Sequence, residues 1–142
     1  GSDPELAERV VEVLREEDFS DQCLVMSLDL GSVRTVRRLA PDIPVGLIVS
    51  QSVGNVLRED LDFVAVRAAL ATVDFESRAH ALGKEVHVWT VNDVRIANAL
   101  VDRGVDNLIT DVPDSVRAAL VERAQLEPAE RLLLAYRNRR VP

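Results

Sequence analysis

Apolar positions alternate between two spacings along this chain, and the spacings lay out its elements in order. In "PELAERVVEVLREE", residues 4 to 17, Leu6, Val10, Val13 and Leu14 recur at helical intervals, with Asp3 placed to cap and Pro4 at the first helical position. "QCLVMSLD", 22 to 29, is a short apolar run that predicts a buried strand ending at Ser27 to Asp29. Helical spacing resumes in "GSVRTVRRLA", closed by Pro41, and "PVGLIVS", 44 to 50, predicts a second strand. "QSVGNVLREDL" has no firm period and predicts irregular chain or a weak helix. "DFVAVRA", 62 to 68, predicts a third strand, and "TVDFESRAHALG" a helix capped by Thr72 and stopped by Gly83.

The same alternation continues to the end of the chain. "EVHVWTV", 85 to 91, predicts a fourth strand, "NDVRIANALVDRG", 92 to 104, its helix with Gly104 as the stop, and "VDNLITD", 105 to 111, a fifth strand. Pro113 and Pro128 each start a further helix. One helix followed by five alternating strands and helices predicts an α/β fold with a parallel sheet, because each crossover is long enough for a right-handed βαβ unit. In such folds reactive groups gather at the carboxyl ends of the strands. Those ends are Ser27 with Asp29, Ser50 with Gln51, Arg67, Trp89 with Asn92, and Thr110 with Asp111.

Composition narrows the function classes. A chain of 142 residues, 47% hydrophobic, is one domain with a substantial core. Its formal charge of −7 repels phosphate backbones and argues against nucleic acid as a partner. Cys23 is the only cysteine, expected as a buried thiol, and with His80 and His87 it cannot assemble a finger-type zinc site. No apolar run approaches the roughly 20 residues of a membrane-spanning helix, and the acidic start is not a signal peptide. Gly1 and Ser2 resemble the scar of a cleaved expression tag, so the natural chain is expected to continue upstream.

The side chains that could carry chemistry are few, and each has a structural alternative. Trp89, the only tryptophan, stands evenly between core packing and ligand contact. Asn92 leans toward ligand contact, since a strand exit does not need a polar side chain for packing. Asp111 or Thr110 is expected to cap the helix that follows. His87, inside a strand, is expected in the core or between layers, and His80, in a helix, is expected to be solvated. Ser27 has no base at a recognisable spacing, and no glycine-rich phosphate loop is present. "RNRR", 137 to 140, could touch anionic lipid, but a soluble, fraying tail is the simpler expectation.

"HVWTVND" followed by "GVDNLITDVPD" resembles the C-terminal signature of the glycerophosphodiester phosphodiesterase family. "LVMSLDLGSVRTVRRLAPDIPVGLIV" is similar to that family's Ser-Phe-Asp strand, helix and following strand, with Leu28 where Phe is usual. The likeness runs over nearly all of residues 5 to 120. It implies a TIM-type barrel that hydrolyses glycerophosphodiesters to glycerol 3-phosphate and an alcohol with Ca²⁺ or Mg²⁺, through two catalytic histidines and a carboxylate cluster. The family's His-Arg-Gly, Glu-x-Asp and Glu-Ile-Lys segments are not in this chain, and neither histidine stands in a matching context.

The resemblance therefore implies a half-barrel over residues 3–124, followed by a C-terminal helix and basic tail over 125–142. It implies no catalytic residue and no metal ligand in this chain. It places Trp89, Asn92 and Asp111 on the wall of the substrate pocket. Unpaired strand edges predict a homodimer, or pairing with the missing N-terminal half-barrel. The expected setting is a soluble domain, cytoplasmic or attached to a membrane region of the parent. The alternatives are a non-enzymatic flavodoxin-like or receiver-like module, and a half-barrel interaction domain. Strand order separates them: 1-2-3-4-5 for barrel descent, 2-1-3-4-5 for the flavodoxin type.

Overall fold

The computed structural model describes residues 4–51 and 54–138. The cap expected at Asp3, the scar at Gly1 and Ser2, and the end of the basic tail lie outside them. Five strands, β1 (Val25–Ser27), β2 (Val45–Val49), β3 (Phe63–Arg67), β4 (Glu85–Trp89) and β5 (Asn107–Leu108), alternate with six helices. The helices are α1 (Pro4–Glu16), α2 (Leu30–Leu39), α3 (Val73–Ala81), α4 (Val94–Arg103), α5 (Pro113–Gln125) and α6 (Pro128–Asn138). All neighbouring strands pair in parallel, in the order β1-β2-β3-β4-β5. This order excludes the flavodoxin-type topology. The receiver reading also loses its lysine: Lys84 is buried before β4, its ammonium donating to the Glu59 and Leu61 carbonyls at 2.7 and 2.8 Å.

Helix ends follow local chemistry. The Asp29 carboxylate accepts the Ser32 N–H at 2.7 Å and starts α2. Thr72 accepts the Phe75 N–H at 3.2 Å and starts α3 as expected. The Asp93 side chain accepts the Arg95 N–H and starts α4 at Val94, two residues later than the sequence pattern suggests. Gly104 ends α4 at φ +100°, a conformation that a Cβ would strain.

Two strands are shorter than their apolar runs. Residues Ser20–Gln22 form a 3-10 turn, so β1 begins only at Val25, whose N–H reaches the Pro44 carbonyl at 2.9 Å. β5 is two residues long, although Ile109 still donates to Val88 at 2.8 Å and accepts from the Val91 N–H at 2.9 Å. Apolar character marks burial, whereas a strand also needs a partner in register. Cys23 is half-buried rather than buried, its thiol 3.8 Å from the Ser20 carbonyl.

Register divides the sheet into two unlike faces. Val25, Val45, Leu47, Val64, Val66, Val86, Val88 and Leu108 share one face and form a single core with Val11, Val33, Val36, Phe75, Ala79, Leu100 and Val116 of the helices. The other face carries Met26, Gly46, Ile48, Phe63, Ala65, Arg67, Glu85, His87, Trp89 and Asn107, none of which belongs to that core. Isolated parallel sheets are normally covered on both faces, whereas a barrel strand turns one face to the helices and the other to the barrel interior. The chain is therefore a partial βα barrel, with its interior face outside the helix-packed core, although Phe63, Ala65 and His87 on that face are buried, and with β1 and β5 at the two edges.

Candidate ligand pocket at the carboxyl ends of the strands

The interior face ends in a cavity of about 310 Å³ lined by Met26, Leu28, Ile48, Trp89, Thr90 and Ile109. Trp89 closes β4 with its ring on this face, because it shares the inward register of Glu85 and His87. Its indole N–H donates to the Ala65 carbonyl at 3.1 Å, and the Arg67 guanidinium carbon lies 5.3 Å from the ring centre, at cation–π range. One edge of Trp89 is anchored in the sheet, and its ring walls a cavity.

Asn92 and Asp111 come together, but not around that cavity. The Asn92 amide donates to the Asp111 carboxylate at 2.9 Å, and its carbonyl accepts the Asp111 N–H at 2.9 Å and the Thr110 hydroxyl at 3.1 Å. Asn92 thus clamps the chain leaving β4 to the chain leaving β5. The expected helix cap is absent: α5 starts without a side-chain cap bond, and Thr110 accepts only the N–H of Val112, which precedes the helix. Pro113 explains this, since proline at the first position presets φ and removes one donor that would need a cap.

The two histidines lie away from the strand exits. His87 is 2% exposed, stacked on Phe63 with ring centres 4.3 Å apart, and its Nε2 is 3.0 Å from the Glu85 carboxylate near the start of β4. It faces the barrel interior rather than the helix layer. His80, expected free in solvent, is 2.8 Å from the Asp106 carboxylate, which also accepts the Val86 N–H at 2.7 Å. Glu76 is the least expected titratable group: buried between α3 and its neighbours, with neither carboxylate oxygen hydrogen-bonded. Burial, with the Asp106 carboxylate adding to it, raises its pKa to about 7 against the opposing pull of Arg103 and His80.

A divalent metal centre does not fit these residues. Among the described residues no group of three or more His, Cys, Asp or Glu is placed to hold an ion. The carboxylates at the strand exits are already engaged, Asp29 with Ser32 and Asp111 with Asn92. The Ser32 N–H and then its hydroxyl hold Asp29 below the usual carboxylate range. Leu28, Thr90 and Ile109 join the site without having been singled out for it in the sequence, and Arg67, named there only as a strand end, joins them. The available signal was an arginine ending an otherwise apolar strand one βα unit before Trp89.

Comparison with known proteins agrees with the geometry. YhdW of Bacillus subtilis (strain 168), named as a glycerophosphodiester phosphodiesterase, is 27% identical over 118 residues, 78% of this chain and 49% of its own length. A glycerophosphodiester phosphodiesterase from Parabacteroides distasonis superposes with a TM-score of 0.78 at 23% identity, over 88% of this chain and 56% of that one. An Oleispira antarctica phosphodiesterase, solved with the product sn-glycerol-3-phosphate, gives 0.73 at 23% identity, over 83% and 50% of the two chains. This chain spans about half the length of the curated relatives it matches. The model of the glycerophosphoryl diester phosphodiesterase family matches residues 1–115, and the chain belongs to that family.

Proposed function

We propose that this chain is the C-terminal portion of a phosphodiesterase barrel, whose parent hydrolyses glycerophosphodiesters to glycerol 3-phosphate and an alcohol and so acts in lipid metabolism. One observation carries the reading: a five-stranded parallel sheet in sequential order with one face outside the helix-packed core. Trp89 contributes to the substrate-pocket wall directly, while Asn92 and Asp111 hold the two neighbouring exit segments that shape its rim. In the parent, Ca²⁺ or Mg²⁺ and the acid–base histidines come from the other half of the barrel, because His80 and His87 are both away from the strand exits. The partner of this chain is that N-terminal half-barrel or a second copy. Its setting is cytoplasmic or beside a membrane region of the parent; among the described residues no helix is long and apolar enough to cross a membrane.

The test has two arms. Assayed alone with a glycerophosphodiester and added Ca²⁺ or Mg²⁺, the 142-residue chain is expected to show no turnover. Robust metal-dependent turnover would overturn its incompleteness. The coding sequence upstream of Asp3 is expected to encode His-Arg-Gly and Glu-x-Asp segments; a start codon there instead would favour a half-barrel interaction domain.

A further inference from the structure

The cavity at the strand exits has a one-sided chemistry. Five of its six lining side chains, those of Met26, Leu28, Ile48, Trp89 and Ile109, present mainly apolar surface, and Thr90 alone adds a hydroxyl. Leu28 is 70% exposed at its rim, an apolar side chain held largely in water. A polyol head group entering such a cavity loses hydration and finds almost no polar partner, a net cost. A hydrocarbon chain entering it gains at every methylene.

The neighbouring charge is complementary to a phosphate. Arg67 ends β3 in register with Trp89, and its guanidinium lies against the ring that walls the cavity. Among the described residues it forms no ion pair, unlike Arg34, Arg37, Arg95 and Arg123, each of which meets a carboxylate. A guanidinium steadied on an aromatic face, with its donors unspent, is suited to bidentate contact with phosphate oxygens. In a chain of net charge −7 it is also a local exception that an anion can find.

We infer that this face takes an amphiphilic phosphate ester, with its hydrocarbon chain in the cavity over Met26 and Ile48 and its phosphate on Arg67. The inference rests on the phosphodiester-pocket reading above and names the class of substrate: an ester carrying a hydrocarbon chain, rather than one built only from small hydrophilic alcohols.

Trp89 is the only tryptophan, so its emission reports on this site alone. The chain is titrated with n-butyl, n-hexyl and n-octyl phosphate below their micelle-forming concentrations, and with glycerol 3-phosphate. Affinity is expected to rise two- to fourfold per added methylene, the upper value corresponding to about 0.8 kcal/mol. Arg67→Gln should weaken every phosphate about tenfold, as loss of a charge-assisted contact does, and leave the octyl-to-butyl ratio unchanged. Leu28→Ser should flatten the chain-length dependence and leave glycerol 3-phosphate binding unaltered, with circular dichroism confirming that both variants fold. Equal affinity for glycerol 3-phosphate and octyl phosphate overturns the inference, as does absence of any response of Trp89. A chain-length dependence indifferent to Arg67→Gln overturns the phosphate assignment. None of these failures touches the turnover assay or the upstream sequence, on which the parent's activity is judged.

Discussion

Asn92 shows how one side chain can join two strand exits without lining the cavity beside them. Its amide spends both ends on the β5 exit, so truncation removes three hydrogen bonds at once. These bonds are exposed to water, and Asn92→Ala is expected to cost only about 1 kcal/mol in denaturant unfolding. The same variant should broaden or shift Trp89 emission, because the Thr90 segment between them loses its tether; unchanged emission would remove Asn92 from the pocket. Glu76 gives the clearest pH signature. Its folded pKa of about 7 lies above the ordinary value of 4.5, so between these the folded state binds more protons than the unfolded state. Stability attributable to Glu76 is therefore full below about pH 4.5, falls as pH rises toward 7, and is lost above it. The loss is on the order of 2–3 kcal/mol. The difference in unfolding free energy between the wild type and Glu76→Gln, measured from pH 5 to 8, should change by about that amount, and a pH-independent difference would refute the assignment.

At the scale of the element, β2 and β3 are fitted to each other by one missing side chain. Gly46 faces the interior beside Phe63, and a Cβ built there would lie 2.2–2.5 Å from three carbons of the Phe63 ring. Gly46→Ala should therefore destabilise by about 1–3 kcal/mol through overpacking, and Gly46→Ala with Phe63→Leu should recover part of it. Helix α3 depends on Thr72, and Thr72→Ala should cost about 1 kcal/mol in thermal or urea unfolding. Helix spacing, proline starts and the glycine stop at Gly104 were legible in the sequence because each acts within a few residues. Strand limits were not, because how far β1 and β5 pair depends on their register against β2 and β4, both of which run on beyond them. The predicted cap at Asp111 failed for a related reason: its nearest competitor, Asn92, lies 19 residues away in the chain.

For the whole molecule, the open sheet edges and the exposed apolar side chains near β1 set the expected solution behaviour. β1 and β5 each leave a row of backbone groups unpaired, and Met26 and Leu28 present apolar surface between them. A second copy is expected to pair along these edges, with the two interior faces opposed and the carboxyl-end cavity left open at the top. Sedimentation should show a dimer that dissociates on dilution, and Met26→Glu should weaken it at least about tenfold by placing a charge on the opposed face. A clean monomer at high concentration would contradict this. The membership of the family does not depend on the outcome, since it rests on the match over residues 1–115.

The sequence by itself determined the parallel α/β class, the order of its elements and the position of Trp89 at a strand exit, because periodicity, proline and glycine act over short stretches of chain. The motifs around Trp89 and Asp111 also carried the family resemblance. Only the tertiary structure decided that the sheet is sequential with one face outside the helix-packed core, that Asn92 and Asp111 bind each other, and that Arg67 lies on Trp89 beside an apolar cavity. Those outcomes depend on which residues meet across strands tens of positions apart. Register, rather than local pattern, fixes such meetings.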